Sequence, residues 1–325
     1  MSLYTKPFLT LEQQLSVLKA RGLSVSDDVA ALACLSRFGY YRLSAYWYPL
    51  RETTVVAHVA SGRMVVQRLD HFKADTNLQQ VIHLYVFDKR LRLLVLDAIE
   101  RIEVALRVDI ASTLGSRDPF AHTNMKLLHG SFVKQVNPST GRTRYQDWMA
   151  KHTLAVARSR DDFVKHFDSK YGSRLPIWVS VELWDFGMLS TFFKGMKVVD
   201  QSAIAARYGI PDWQLLQSWL RSLNFVRNVA AHHSRLWNKN LIDQPKLPKA
   251  GAMPDFDAVI GVPDVTIRLF VVLCITLHLL RAVCPNSSWP KRLRQELMAF
   301  PTIQGSSVAD MGFPAGWETQ PLWKP

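Results

Sequence analysis

The pattern that most constrains the fold is the longest run of helical periodicity in the sequence, at residues 77–114. This run contains no glycine or proline, and its apolar residues recur every three or four positions, as on one face of an α-helix. The apolar positions are Leu84, Phe87, Leu91, Leu94, Ala98, Ile102, Ala105 and Val108. We therefore predict one long helix with a buried apolar stripe, an element that suits a helical bundle.

Charged residues of this predicted helix have the spacing of ordinary ion pairs. Asp97 precedes Arg101, and Glu103 precedes Arg107, in each case by four residues. We interpret Glu100 and Glu103 as structural rather than as acid–base catalysts. A carboxylate of this helix is nevertheless a candidate to orient Arg227 or His232, which are discussed below.

Helical patterns also dominate the rest of the sequence. Thr10 to Gln13 form a capping box and Gly22 is a suitable stop, so a helix is predicted between them. Further helices are predicted at 27–38, 146–160, 161–170, 177–196 with a bend at Gly187, from 211 onward, 264–283 and 289–300. Residues 115–145 read as loop, and one short hairpin is predicted at 53–69 around Ser61-Gly62. The predicted fold class is all-α.

The charge balance indicates a polyanionic partner. Forty Lys and Arg against 27 Asp and Glu give a net charge of +13, which favours nucleic acid or, as a competitor, an anionic membrane surface. Tyrosines, Trp47 and arginines alternate at 40–51. They could stack bases, but we favour the interpretation that they anchor the N-terminal helices to the core.

Several features predict a cytoplasmic protein without a membrane span. Three sparse cysteines without metal-ligand spacing are typical of a reducing compartment, and the N-terminus does not resemble a signal peptide. The most apolar run, 265–283, includes Arg268, His278 and Arg281. We predict that this run forms a buried helix.

Residues 221–238 are predicted to form one amphipathic helix whose polar face has an unusual composition. Its apolar stripe consists of Trp219, Leu223, Val226, Ala230, His233 and Trp237. Its polar face consists of Arg221, Asn224, Asn228, His232 and Arg235, with Arg227 at the edge. No carboxylate lies on this face, whereas arginine forks bind phosphate oxygens and histidine transfers protons near neutral pH. The face therefore suits a phosphodiester, and no metal site is predicted on it.

The two adjacent histidines receive different interpretations. His232 falls on the polar face and is either a solvated or a functional histidine. His233 falls on the apolar stripe, so we predict a packed core histidine there.

The Arg227-Asn228-x-x-x-His232 sequence matches the Arg-x4-6-His motif of HEPN domains. The longer run 227–238 resembles the AbiD/AbiF branch of the bacterial abortive-infection proteins. Further stretches that resemble this family, in the same order, are 6–14, 40–49, 87–92, 99–107, 175–178 and 311–314. The resemblance implies one α-helical domain over 1–325, with N-terminal helices and the hairpin at 1–76, a HEPN-like helical bundle at 77–285, and a C-terminal helix and coil at 286–325.

The resemblance also implies an activity. RNA carries its own 2′-hydroxyl nucleophile, so cleavage needs a base, an acid and positive charge at the phosphorane. Arg227 would stabilise the phosphorane, His232 would be acid or base, and Asn228 would orient substrate or His232. Since one motif supplies one titrating group, a homodimer with a composite site is expected, as in HEPN ribonucleases. No cofactor or metal is required.

Additional substrate contacts are predicted from basic and polar residues of the same face and of a turn-rich loop. These are Arg221, Asn224, Arg235, Arg142 and Arg144. Two functions stay open: a metal-independent endoribonuclease acting as toxin or abortive-infection effector, and a non-catalytic RNA-binding module that holds a regulatory RNA. A regulatory RNA or antitoxin would be a further partner.

Overall fold

The computed structural model describes residues 3, 5, 7–57, 64–172, 174–303 and 305–324. Most of these residues are helical, which confirms the all-α prediction. The α-helices are α1 (Leu11–Ala20), α2 (Asp28–Phe38), α3 (Tyr40–Trp47), α4 (Leu78–Gly115), α5 (Gly130–Lys134), α6 (Arg144–Arg158), α7 (Asp162–Tyr171), α8 (Ile177–Ser180), α9 (Phe186–Gly195), α10 (Val198–Arg207), α11 (Trp213–Ala231), α12 (Asp257–Ile260), α13 (Leu269–Val283) and α14 (Trp289–Met298). The strands are β1 (Arg51–Ala57), β2 (Met64–Phe72), β3 (Val136–Asn137) and β4 (Arg142–Thr143).

Local sequence signals correctly placed the first elements. Thr10 and Gln13 form a reciprocal capping box at the start of α1. The predicted hairpin is present as the antiparallel pair β1–β2, with Val55 opposite Val66; its predicted turn, Ser61-Gly62, lies outside the described residues. The predicted long helix is α4, and its Asp97–Arg101 and Glu103–Arg107 pairs form at 2.7 and 2.6 Å.

Three predicted boundaries were wrong. The chain breaks before α9 at Trp184 and Asp185 rather than at Gly187, because the Asp185 side chain accepts a hydrogen bond from the Met188 backbone N–H at 2.7 Å and caps a new helix. The predicted helix from residue 264 begins only at Leu269, because Asp264 has a left-handed φ of 53° and Arg268 is extended after a 3-10 turn at Val265–Ile267. Within the predicted loop 115–145, the structure has α5 and the short pair β3–β4.

The chain divides into two compact units, and the first consists of residues 1–91 and 295–310. Tyr46 and Trp47 are buried in it, and the Tyr46 hydroxyl donates a 2.7 Å hydrogen bond to buried Asp88. Trp47 packs edge-on against Phe72. These contacts confirm the anchoring interpretation for Tyr46 and Trp47, whereas Tyr41 and Tyr48 are exposed and do not act as buried anchors.

The second unit consists of residues 92–294 and 311–325. Its most enclosed element is α13, with buried side chains at Leu269–Leu277, Leu279 and Leu280. Helix α11 packs against α9, α10 and α13. Within the described residues, no helix combines the length and apolarity needed to cross a membrane.

Two buried histidines face each other in the second unit. The ring centroids of His122 and His152 lie 5.1 Å apart, and Trp184 Nε1 donates to His152 Nδ1 at 3.1 Å. His122 Nε2 lies 3.3 Å from the Ser180 hydroxyl. Burial lowers the pKa of His122 to about 3 and the pKa of His152 to about 4. Both rings are therefore neutral in the folded chain.

This pair predicts a loss of stability in mild acid. An unfolded histidine takes up a proton below about pH 6.5 while the folded pair does not, so the free energy of unfolding falls as pH drops from 7 to 5. We expect a decrease of roughly 3 kcal/mol from the pair, measured by urea unfolding at both pH values. In His152→Gln, which keeps an acceptor for Trp184, the decrease should be about half as large. An equal decrease in variant and wild type would contradict this account.

Candidate active site

Helix α11 carries the Arg-Asn-x-x-x-His motif and is amphipathic as predicted. The Asp212 side chain caps its N-terminus by accepting from the Gln214 backbone N–H at 2.8 Å. Trp219, Leu223, Val226 and Ala230 are all buried. This confirms the apolar stripe as far as Ala230 and leaves the motif on the less buried side of the helix.

The helix ends at Ala231, which contradicts the prediction that it continues to Asn238. His232 is the C-cap, and His233 follows with a left-handed φ of 56°. The His233 N–H donates to Ala230 O at 3.1 Å and the Ser234 N–H to Val229 O at 3.0 Å. These two hydrogen bonds form a Schellman motif, with histidine at the position that glycine usually occupies. His233 is exposed, so its predicted place in the core was wrong.

The segment after the turn returns to the core. Leu236 and Trp237 are completely buried. Arg92 of α4, itself buried, donates to the Ser234 carbonyl at 3.5 Å. Arg235 lies half-buried in this segment, not on the helix face where it was predicted.

The turn predicts an order of stability for two substitutions at residue 233. Glycine adopts a left-handed φ without strain, whereas alanine does not, and both remove the imidazole. We expect His233→Gly to be more stable than His233→Ala by about 1 kcal/mol. Thermal unfolding of the two variants measures this difference. Equal stability would mean that residue 233 is not held in the left-handed region.

The three motif side chains lie at the C-terminal end of α11. Arg227 Nη1 donates to the Asn228 side-chain oxygen at 3.3 Å. The His232 backbone N–H donates to the Asn228 carbonyl at 3.0 Å, in the last turn of the helix. Arg227 and Asn228 are half-buried, and His232 is exposed. This end of the helix thus combines a cation, an amide and an accessible imidazole.

Carboxylates from other elements approach this polar face, although the face has none of its own. Burial raises the pKa of Glu103 on α4, and the positive charges of Arg107 and Arg227 oppose that shift. Glu103 therefore lies within electrostatic range of Arg227, while its direct ion pair is with Arg107 at 2.6 Å. Arg107 also donates to the Trp184 carbonyl at 2.9 Å. Sequence spacing had suggested such a carboxylate without identifying which residue it was.

A second carboxylate forms an ion pair with Arg221. The connector after the motif folds back along α11, and Asp243 pairs with Arg221 at 2.7 Å. The Ser222 hydroxyl donates to the Asp243 carbonyl at 2.6 Å. The role of Asp243 could not be predicted from the sequence, because Asp243 lies 22 residues beyond Arg221 in an irregular segment. Arg221 stays exposed despite this ion pair.

Asn224 and the two loop arginines lie in different surroundings. Asn224 is half-buried against α9, where a Cβ on Gly187 would come within 3.4 Å of its side-chain oxygen. Arg142 is held by Asp147 at 3.2 Å and by the Gln146 carbonyl at 2.9 Å. Arg144 begins α6 and is exposed.

One further cation lies near two predicted contact residues. Burial lowers the pKa of Lys194 on α9, and the positive charges of Arg144 and Arg221 lower it further. The structure thus brings Arg144 and Arg221 close to the same lysine. Lys194 had not been predicted, because residues from α6, α9 and α11 meet only in the folded chain. Within the described ranges, no three His, Cys, Asp or Glu side chains are grouped as metal ligands.

Comparison with known families gives one match, which covers more than half of the chain. The family model described as Abi-like protein matches residues 33–238, a range that ends just after the motif and its turn. No curated protein and no solved structure matches the chain.

Proposed function

Because the chain belongs to the family of Abi-like proteins, we propose that it acts in abortive infection as a metal-independent endoribonuclease. The observation that carries this proposal is the grouping of Arg227, Asn228 and His232 at an accessible helix end. The net charge of +13 supports RNA as the substrate, because a polyanion releases counterions when it meets such a surface.

The proposed reaction uses the 2′-hydroxyl of RNA as nucleophile. That oxygen attacks the adjacent phosphorus, the bond to the 5′-oxygen breaks, and the products carry a 2′,3′-cyclic phosphate and a 5′-hydroxyl. His232 transfers a proton to or from the reacting oxygens, and Arg227 stabilises the charge on the phosphorane. Asn228 orients the substrate or His232. Glu103, which is hydrogen-bonded to Arg107, is the α4 carboxylate whose charge acts on Arg227 in this proposal.

The reaction needs both a base and an acid, and each motif contributes one imidazole. We propose that two chains pair their motifs about a two-fold axis, so that one His232 acts as base and the other as acid. A regulatory RNA or an antitoxin would restrain this activity in the cell.

The central test of the activity compares the two neighbouring histidines. RNA incubated with wild-type protein in EDTA should be cleaved, and His232→Ala should reduce the rate by roughly 100-fold or more. RNA affinity and melting temperature should change little, because His232 is an exposed cap residue. Rates are followed on labelled RNA under single-turnover conditions.

His233→Gly is the matched control for this test. It removes an adjacent exposed imidazole, and glycine suits the left-handed turn, so the variant should cut at close to the wild-type rate. The site assignment is wrong if the result is reversed, with His233→Gly inactive and stable while His232→Ala still cuts.

The composite site predicts a dimer. Light scattering of the wild-type protein under cleavage conditions should give twice the mass of one chain. A protein that cuts RNA while it remains a strict monomer would contradict the shared site and require a second acid–base group in the same chain.

The second candidate function is RNA binding without cleavage. The cations near Lys194 support RNA binding without cleavage as well as they support cleavage, since a binding module needs positive charge but no imidazole. In that case wild type and His232→Ala would bind RNA alike, and neither would cut it in EDTA.

A further inference from the structure

A small pocket lies between α6 and α9 in the second unit. It has a volume of about 130 Å³. Arg144 and Lys151 line it from α6, Gly187 and Thr191 line it from α9, and the buried Trp148 lies beneath it. Arg144 and Lys151 are seven residues apart, which places them on one face of α6 two turns from each other. Both side chains are exposed.

Positive charge is concentrated at this pocket. Lys194 follows Thr191 by three residues on α9. Burial lowers the pKa of Lys194, and the positive charges of Arg144 and Arg221 lower that pKa further. Like charges around one pocket repel each other, and an anion among them relieves that repulsion. The carboxylate at the rim, Asp147, is already paired with Arg142. The cluster is therefore suited to bind an anion from solution.

The pocket adjoins the motif helix. Gly187 lines the pocket, and a Cβ at Gly187 would lie 3.4 and 3.6 Å from the Asn224 amide atoms of α11. Asn224 precedes Asn228 by four residues, so the two amides share a face of α11. An anion in the pocket would thus lie beside the polar face that carries the motif.

We propose that Arg144 and Lys151, together with Lys194, form a subsite for a backbone phosphate of the RNA. This inference rests on the proposed function, because it takes RNA as the substrate of the adjacent motif. The subsite holds a nucleotide that is not cleaved and fixes the path of the strand along α11. It contributes to binding, while Arg227 and His232 carry the chemistry.

The test measures RNA affinity in a His232→Ala background, so that cleavage does not interfere. Lys151→Gln and Lys194→Gln are compared with Lys170→Gln, which removes the same charge from an exposed residue of α7. Fluorescence anisotropy with single-stranded RNA should show roughly 5- to 10-fold weaker binding for each subsite variant at about 100 mM salt. The slope of log affinity against log salt should decrease by about 1, while Lys170→Gln changes neither value much.

Lys194→Arg keeps the charge and should retain most of the affinity, and thermal unfolding confirms that each variant is folded. The subsite is overturned if Lys151→Gln and Lys194→Gln bind RNA as Lys170→Gln does, even where the wild type cuts RNA through His232. If the subsite variants lose affinity but the wild type never cuts, the subsite stands and the endoribonuclease proposal fails.

Discussion

The left-handed turn at His233 is the constraint on which the motif depends. It ends α11 immediately after the motif, with two hydrogen bonds that satisfy the last carbonyls of the helix. Because the chain leaves the helix there, Leu236 and Trp237 enter the core while His232 remains exposed at the cap. If α11 continued to Asn238, His232 would lie in the middle of the helix instead of at its end. Histidine at this φ stores a small strain that the buried residues after it offset.

Charge pairing from distant elements determines which cations of α11 stay available. Asp243 forms an ion pair with Arg221 at 2.7 Å. Glu103 forms an ion pair with Arg107 and also interacts electrostatically with Arg227. The helix face that lacks carboxylates in the sequence therefore has carboxylate neighbours in the fold. The positive charges of Arg144 on α6 and Arg221 on α11 both act on Lys194 of α9, so this part of the second unit carries charge from all three helices.

Long periodic helices and local caps could be predicted from the sequence, because they depend on spacing within a few residues. The length of α4, the capping box of α1 and the buried stripe of α11 are of this kind. The end of α11 could not be predicted, since no glycine or proline marks it and burial of Leu236 and Trp237 decides it. Glu103, Asp243 and Lys194 joined the site through tertiary contacts. Arg227, Asn228 and His232 could be named as candidates because they lie within six consecutive positions, at the end and C-cap of α11.

In the proposed reaction the RNA supplies the nucleophile, and the motif supplies the proton transfer and the positive charge. The most direct measurement uses one RNA that the wild type cuts at a mapped position, and a copy with a single 2′-deoxy nucleotide immediately 5′ of that bond. We expect the first RNA to yield a 2′,3′-cyclic phosphate end by mass spectrometry and the second to resist cleavage at that bond only. Cleavage of the deoxy substrate at the same bond, or a product with a 5′-phosphate, would contradict the proposed reaction.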